Sequence, residues 1–157
     1  MRIGHGYDAH RFAADRPLYL GGILIPDTEG LLGHSDADVC IHALMDAMLG
    51  AAALGDIGKF FPPSDMQFKD IRSTRLLETV NEKISAEGYR LGNADITIIA
   101  QKPRISPYVE EMRHELAKIL HISVGDINIK ATTTEKMGFT GRGEGIAAEA
   151  VCLLLKR

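Results

Sequence analysis

The sequence predicts an α+β fold: a sheet packed on one face by helices, formed by a single domain over residues 1–157. Three observations carry that reading. Strand-like and helix-like segments occur in similar number along the chain. No repeat, low-complexity tract or long charge run divides it. With 45% hydrophobic and 25% charged residues, 157 residues suffice for one full core without disulfides.

The elements follow in order. Met1–His10 alternates loosely and reads as a strand. Leu18–Leu20 and Ile23–Ile25 flank Gly21-Gly22 and read as a hairpin, since glycines supply the positive φ of a tight turn; Pro26 ends it. Gly30–Asp36 is turn-rich. A helix starts near Asp36 or Asp38, either of which can cap it, and Ile41, Leu44, Met45, Met48 and Ala52 form its apolar stripe. Gly55–Asp65, with Pro62-Pro63, is expected to be a loop. Ile71–Glu87 reads as a helix with Leu76, Val80 and Ile84 inward and Gly88 as its stop. Ala94–Ala100 is a β-branched strand. Pro107–Leu120 is a helix with Val109, Met112, Leu116 and Ile119 inward. Ile127–Thr134 is a strand, and Gly138–Gly145 a glycine-rich connection. Ile146–Leu155 reads as a closing strand, although its alanines and leucines also suit a helix.

Charge and composition exclude some classes. A net charge of −3 argues against broad nucleic-acid binding, so an anionic ligand must be held by local charge, metal or backbone N–H groups. Cys40 and Cys152 are too few for a disulfide scaffold. The opening MRIGHGYDAH lacks an apolar leader, and the apolar stretches around Ala47–Leu54 and Ile146–Leu155 are too short or interrupted to cross a bilayer. The expected setting is a bacterial cytoplasm.

Two clusters could do chemistry. Asp8 and His10 share one face of a strand, and a carboxylate beside an imidazole suits Zn²⁺. His42 joins them if its helix packs over that strand, with Asp46 four residues on to orient the imidazole. Taken singly, these are also ordinary polar strand residues and a satisfied helix histidine. The second cluster is Lys130 to Lys136, where three threonines, Glu135 and a following FTGRGEG loop can form a phosphate-and-cation platform, or simply a β-favouring strand end. His34-Ser35 before a helix, Asp56 and Gly58 in a loop, and Gln101-Lys102-Pro103-Arg104 after a strand are further polar candidates. Gly4-His5-Gly6 lacks the rest of a dinucleotide fingerprint. His5, His114 and His121 have no nameable partner, and Cys40 falls on a different helix face from His42.

Five blocks together resemble one family. They are DAH at Asp8–His10, SDADVCIHALMDAMLG at Ser35–Gly50, GDIGKFFPPSD at Gly55–Asp65, ADITIIAQKPR at Ala94–Arg104 and IKATTTEKMGFTGRGEGIAAEAV at Ile129–Val151. In order and spacing they are similar to the 2-C-methyl-D-erythritol 2,4-cyclodiphosphate synthases of non-mevalonate isoprenoid biosynthesis.

That resemblance implies a homotrimer with active sites between subunits. It implies a phosphorus–oxygen lyase that turns 4-diphosphocytidyl-2-C-methyl-D-erythritol 2-phosphate into the cyclic diphosphate and CMP. Carried over by motif, Asp8, His10 and His42 would bind Zn²⁺, and Glu135 a second cation, Mg²⁺ or Mn²⁺. His34 and Thr133 would stabilise charge in the reaction. The substrate would also touch Ala9, Ser35, Asp56, Ile57 and Gly58. Phe61, Pro62, Pro63, Ser64 and Asp65 would line its site, with Thr132 and Thr133 near the diphosphate and Thr134 also in contact with the substrate. Ala100, Gln101, Lys102, Pro103, Arg104, Ile105 and Ser106 would enclose the cytidine. Phe139 and Arg142 would lie near the trimer axis, where an isoprenoid diphosphate could bind. A zinc-dependent phosphohydrolase and a non-catalytic isoprenoid-diphosphate sensor are the rival classes; the products distinguish them.

Overall fold

A computed structural model of the chain describes every residue, Met1–Arg157. Strand β1 (Arg2–Ala13) leads into a hairpin, β2 (Leu18–Leu20) and β3 (Ile23–Ile25), and a two-residue strand β4 (Gly30–Leu31). Helix α1 (Val39–Ala51) is followed by the single turn α2 (Ile57–Phe60) and by α3 (Ser73–Ala86). Strand β5 (Tyr89–Ile99), helix α4 (Val109–Leu120) and strand β6 (Ile127–Thr132) precede the turn α5 (Gly138–Gly141) and the last strand, β7 (Gly145–Lys156).

The main sheet is ordered β4-β1-β7-β5-β6, so the two ends of the chain pair at its centre. Only β5 and β6 are parallel; the other neighbours are antiparallel. Alternation sends Ile146, Ala148, Ala150, Cys152 and Leu154 of β7, and Ala94, Ile96 and Ile98 of β5, toward the helices, where they join one continuous apolar core. The opposite face is open and carries Ile3, Tyr7 and Val151, at 70%, 49% and 41% exposure.

Helix α1 rests on β1 with almost nothing between them. A Cβ at Gly4 would meet the Ala47 carbonyl oxygen at 1.9 Å, and one at Gly6 the Ala43 oxygen at 2.0 Å. Two residues of strand advance roughly as far as four residues of helix. Continuing that step past Gly6 brings Asp8 to the N-terminal end of α1, where His42 lies.

Several boundaries differ from the sequence reading. The first helix starts after Asp38, whose carboxylate accepts the Ile41 N–H. It is buried nearly all round, not along one stripe, because sheet, hairpin and α3 enclose it; Ala52 lies just past its end. Its neighbour α3 starts at Ser73, since the Ile71 carbonyl is taken by the Asp36 N–H. The strand expected at Ala94 begins at Tyr89, whose segment pairs with β7 through an irregularity between Leu91 and Asn93. Pro107 sits in a 3-10 turn ahead of α4, and Val109 is only half-buried. Short helical turns interrupt both Gly55–Asp65 and Gly138–Gly145. The last segment is a strand, fixed by β1 on one side and β5 on the other.

Candidate active site

Asp8 and His10 point to the helical side of β1, and His42 comes down on them from α1. Asp8 Oδ2 lies 2.9 Å from His10 Nε2 and 3.1 Å from His42 Nδ1. One ligand atom from each of the three falls within 4.8 Å of the others. The His10 and His42 rings meet edge-on, with centroids 5.4 Å apart.

The donor set fits a divalent cation. His10 Nδ1 is 2.7 Å from the Leu32 carbonyl oxygen, to which it donates, so Nε2 of the neutral ring is a lone pair. That buried Nε2 has no hydrogen-bond partner despite its nearness to the Asp8 carboxylate. Lone pairs converging this way repel unless a proton or a cation sits between them. Burial pushes the Asp8 carboxyl up, but the His10 and His42 rings beside it outweigh this and hold it at about 2. Burial pulls His10 down, and Asp8 more than reverses this, leaving it raised. A carboxylate and two imidazoles also leave a tetrahedral ion one open position.

The three residues line a cavity of about 270 Å³ together with His34, Ser35, Ile57, Gly58, Phe61 and Pro63. The His34 ring is tied by Nε2 to the Asp65 carbonyl at 3.0 Å, and Arg16 donates to the Ser35 carbonyl at 2.6 Å. Asp56 caps α2 through the Lys59 N–H, and Asp65 caps the next turn through the Gln67 N–H. A larger groove between α3 and α4 is lined mainly by charged and polar side chains and holds none of the candidate residues.

The other candidates gather at a second place. Ala100 N–H donates to the Thr132 carbonyl, and Gln101 Oε1 accepts the Lys136 N–H at 3.3 Å. Thr133 Oγ1 accepts the Glu135 N–H, while Thr134 is tied to Thr140 and the Met137 carbonyl. Glu135 and Lys136 both have positive φ, 52° and 65°, and both are exposed. Arg104 bonds Ser106, and Arg142 pairs with Glu144. Ala9, Ala147, Ile99 and Thr132 occupy one row across the sheet. Three strand spacings put Ala9 and Thr132 about 14 Å apart at the same sheet end. Within one chain, therefore, Thr132–Glu135, Ala100–Ser106, Phe139 and Arg142 do not line the Asp8 cavity.

With this geometry in hand, the sequence profile of the YgbB family matches residues 1–155. The chain belongs to the YgbB family. This YgbB chain is 59% identical over 156 residues to a 2-C-methyl-D-erythritol 2,4-cyclodiphosphate synthase of Listeria monocytogenes, covering 99% of each. Among solved structures, the bifunctional IspDF of Campylobacter jejuni superimposes with a TM-score of 0.96 at 44% identity; this chain spans 99% of itself and 42% of that longer protein. A CDP complex of IspF from Plasmodium falciparum gives 0.86 at 34% identity, covering 99% of this chain and 96% of that one.

One sequence expectation about this YgbB site fails. Asp46 does not orient His42: its carboxylate accepts the Ile57 N–H at 2.8 Å and so anchors α2 to α1. The imidazole is held instead by Ser35 and Ser73, whose hydroxyl oxygens lie 3.2 and 3.0 Å from Nε2. From sequence, Asp36 reads only as a helix cap and Ser73 draws no notice, because serine and aspartate at a helix start look like caps. Cys40 is buried and its thiol is pushed well up by that burial, so it offers no thiolate. His5 faces Glu149 on the open sheet face, His114 bonds the Glu110 carbonyl, and His121 ends α4.

Proposed function

We propose that this chain is a 2-C-methyl-D-erythritol 2,4-cyclodiphosphate synthase of the non-mevalonate isoprenoid pathway. It converts 4-diphosphocytidyl-2-C-methyl-D-erythritol 2-phosphate to the cyclic diphosphate and CMP. The observation that carries this reading is the convergence of Asp8, His10 and His42 in one cavity with His34, Ser35, Ile57, Gly58, Phe61 and Pro63, in a chain that matches the family over residues 1–155.

An oxygen of the 2-phosphate attacks the β-phosphorus of the cytidine diphosphate arm. A new P–O bond closes the ring, the bond to the bridging oxygen breaks, and CMP leaves with that electron pair. A phosphate anion is already a nucleophile, so no general base is needed, and catalysis is alignment plus charge neutralisation. Asp8, His10 and His42 would hold Zn²⁺, and Glu135 a second Mg²⁺ or Mn²⁺; bound there, the cations polarise and neutralise the diphosphate. His34 and Thr133 donate hydrogen bonds to its oxygens, where charge grows. Asp56, Ile57, Gly58 and the Phe61–Asp65 segment seat the erythritol part, and Ala100–Ser106 the cytidine. Holding the two ends of the substrate together is worth roughly 7–11 kcal/mol of the barrier.

The working unit is a homotrimer, in which the metal half-site of one subunit meets the Thr132–Glu135 half-site of its neighbour. Two features support it: the half-sites stand about 14 Å apart in one chain, and the open sheet face exposes Ile3, Tyr7 and Val151. Phe139 and Arg142 then lie near the trimer axis, available to an isoprenoid diphosphate. No helix is long and apolar enough to cross a membrane. Bacterial relatives and free cysteines support a cytoplasmic place of action. Turnover in ¹⁸O-water tests the chemistry: a cyclase leaves its products free of solvent oxygen, whereas a hydrolase labels its phosphates.

A further inference from the structure

We propose that Ser73, itself oriented by Asp36, is a positioning residue that fixes the tautomer of His42, so that the Nδ1 lone pair faces Asp8 and His10. The inference rests on reading that trio as a metal site. Ser73 is fully buried in the first turn of α3 and does not line the cavity. Its Oγ lies 2.5 Å from Asp36 Oδ1 and 3.0 Å from His42 Nε2.

A hydroxyl has one proton to give. Asp36 is a carboxylate, paired through Oδ2 with Arg72 Nε at 3.2 Å and with the Ser73 N–H at 2.9 Å. It can only accept, so the Ser73 proton goes to Asp36. What Ser73 then offers His42 is a lone pair, and Nε2 must arrive as an N–H donor. A neutral imidazole has one N–H, so a cation that replaces any proton between Nδ1 and Asp8 Oδ2, 3.1 Å away, meets a bare Nδ1. Ser35 Oγ, 3.2 Å from the same Nε2, already accepts the Ala37 N–H and keeps a freely turning proton, so it does not decide the tautomer. His10 is fixed the opposite way, with Nδ1 on the Leu32 carbonyl and Nε2 bare. The two histidines thus present different nitrogens, each chosen by a partner behind the ring.

The test is nitrogen NMR of ¹⁵N-histidine-labelled, zinc-loaded full-length protein, combined with zinc affinity by competition against a chromophoric chelator. Wild type shows His42 with Nδ1 on the metal and a slowly exchanging Nε2–H. In Ser73→Ala, which keeps the backbone N–H to Asp36, the Nε2 proton exchanges faster with solvent and zinc Kd weakens by about 10–100-fold. A Ser73→Ala protein with wild-type Nε2 proton exchange and wild-type zinc affinity overturns the proposal while leaving the metal site standing. Wild type that takes up no zinc overturns the metal site itself, and the proposal with it.

Discussion

His42 Nδ1 reaches Asp8 Oδ2 at 3.1 Å across 34 residues of sequence. The contact exists because α1 lies directly on β1, and the proposed metal site is therefore as sensitive to that packing as to its own side chains. His42→Ala removes one of three ligands while keeping a good helix former in α1. The expected result is loss of bound zinc by elemental analysis, a fall in kcat of at least about 1,000-fold (about 4 kcal/mol), and an unchanged far-ultraviolet circular dichroism spectrum.

Gly6→Ala places a Cβ 2.0 Å from the Ala43 carbonyl oxygen, so helix and strand must separate. Urea unfolding should show a loss of about 1–3 kcal/mol or more, with weaker zinc binding because His42 moves with the helix. Gly50 lies on the same helix, where an added Cβ meets nothing within 4 Å. Gly50→Ala should be neutral or stabilising by up to about 1 kcal/mol, with zinc affinity unchanged.

Asp38 accepts the N–H groups of Gly21, Gly22 and Ile41, tying the hairpin turn to the start of α1. Asp38→Asn turns one acceptor into a donor and should cost about 1–3 kcal/mol. Burial, and then the Asp36 charge, raise the Asp38 carboxyl from 3.8 to about 7. Between those values the unfolded chain has released the proton and the folded chain retains it. Stability from this group is therefore full below pH 3.8, falls as pH rises, and levels off above about 7. His10, raised from 6.5, adds a decline in the same direction above that pH in the metal-free protein. Unfolding free energies measured from pH 4 to 8 should fall less steeply in Asp38→Asn than in wild type.

If each site joins the metal half of one subunit to the Thr132–Glu135 half of the next, two dead variants should rescue one another. His42→Ala and Glu135→Ala, unfolded and refolded together in equal amounts, should regain about a quarter of wild-type turnover per site, the chance that two intact halves meet. Mixtures that stay inactive would place both halves of a site in one chain.

The meeting of Asp8, His10 and His42 was legible because its geometry is local twice over. Asp8 and His10 share a strand face by period two, and His42 sits one turn into a helix that the glycines at positions 4 and 6 allow to approach. Periodicity names a face but not what covers it. Asp46 lies one turn beyond His42, yet it serves the Ile57 N–H, because the loop after α1 folds back over that end of the site. Similarly, the stripe from Ile41 to Met48 could not reveal that α1 is buried nearly all round. The Asp36–Ser73 link needs the start of α3 to meet the start of α1, a tertiary event with no sequence period. The Thr132–Glu135 cluster stood out in the sequence as a candidate platform, but its distance from Asp8 follows only from the strand order.

The most direct measurement follows the purified protein by phosphorus NMR with 4-diphosphocytidyl-2-C-methyl-D-erythritol 2-phosphate and Mg²⁺, with and without prior removal of zinc. Cyclic diphosphate and CMP should appear in equal amounts, be lost on zinc removal and return when zinc is added back. Linear phosphates as products, or full turnover by zinc-free protein, would contradict the proposed function.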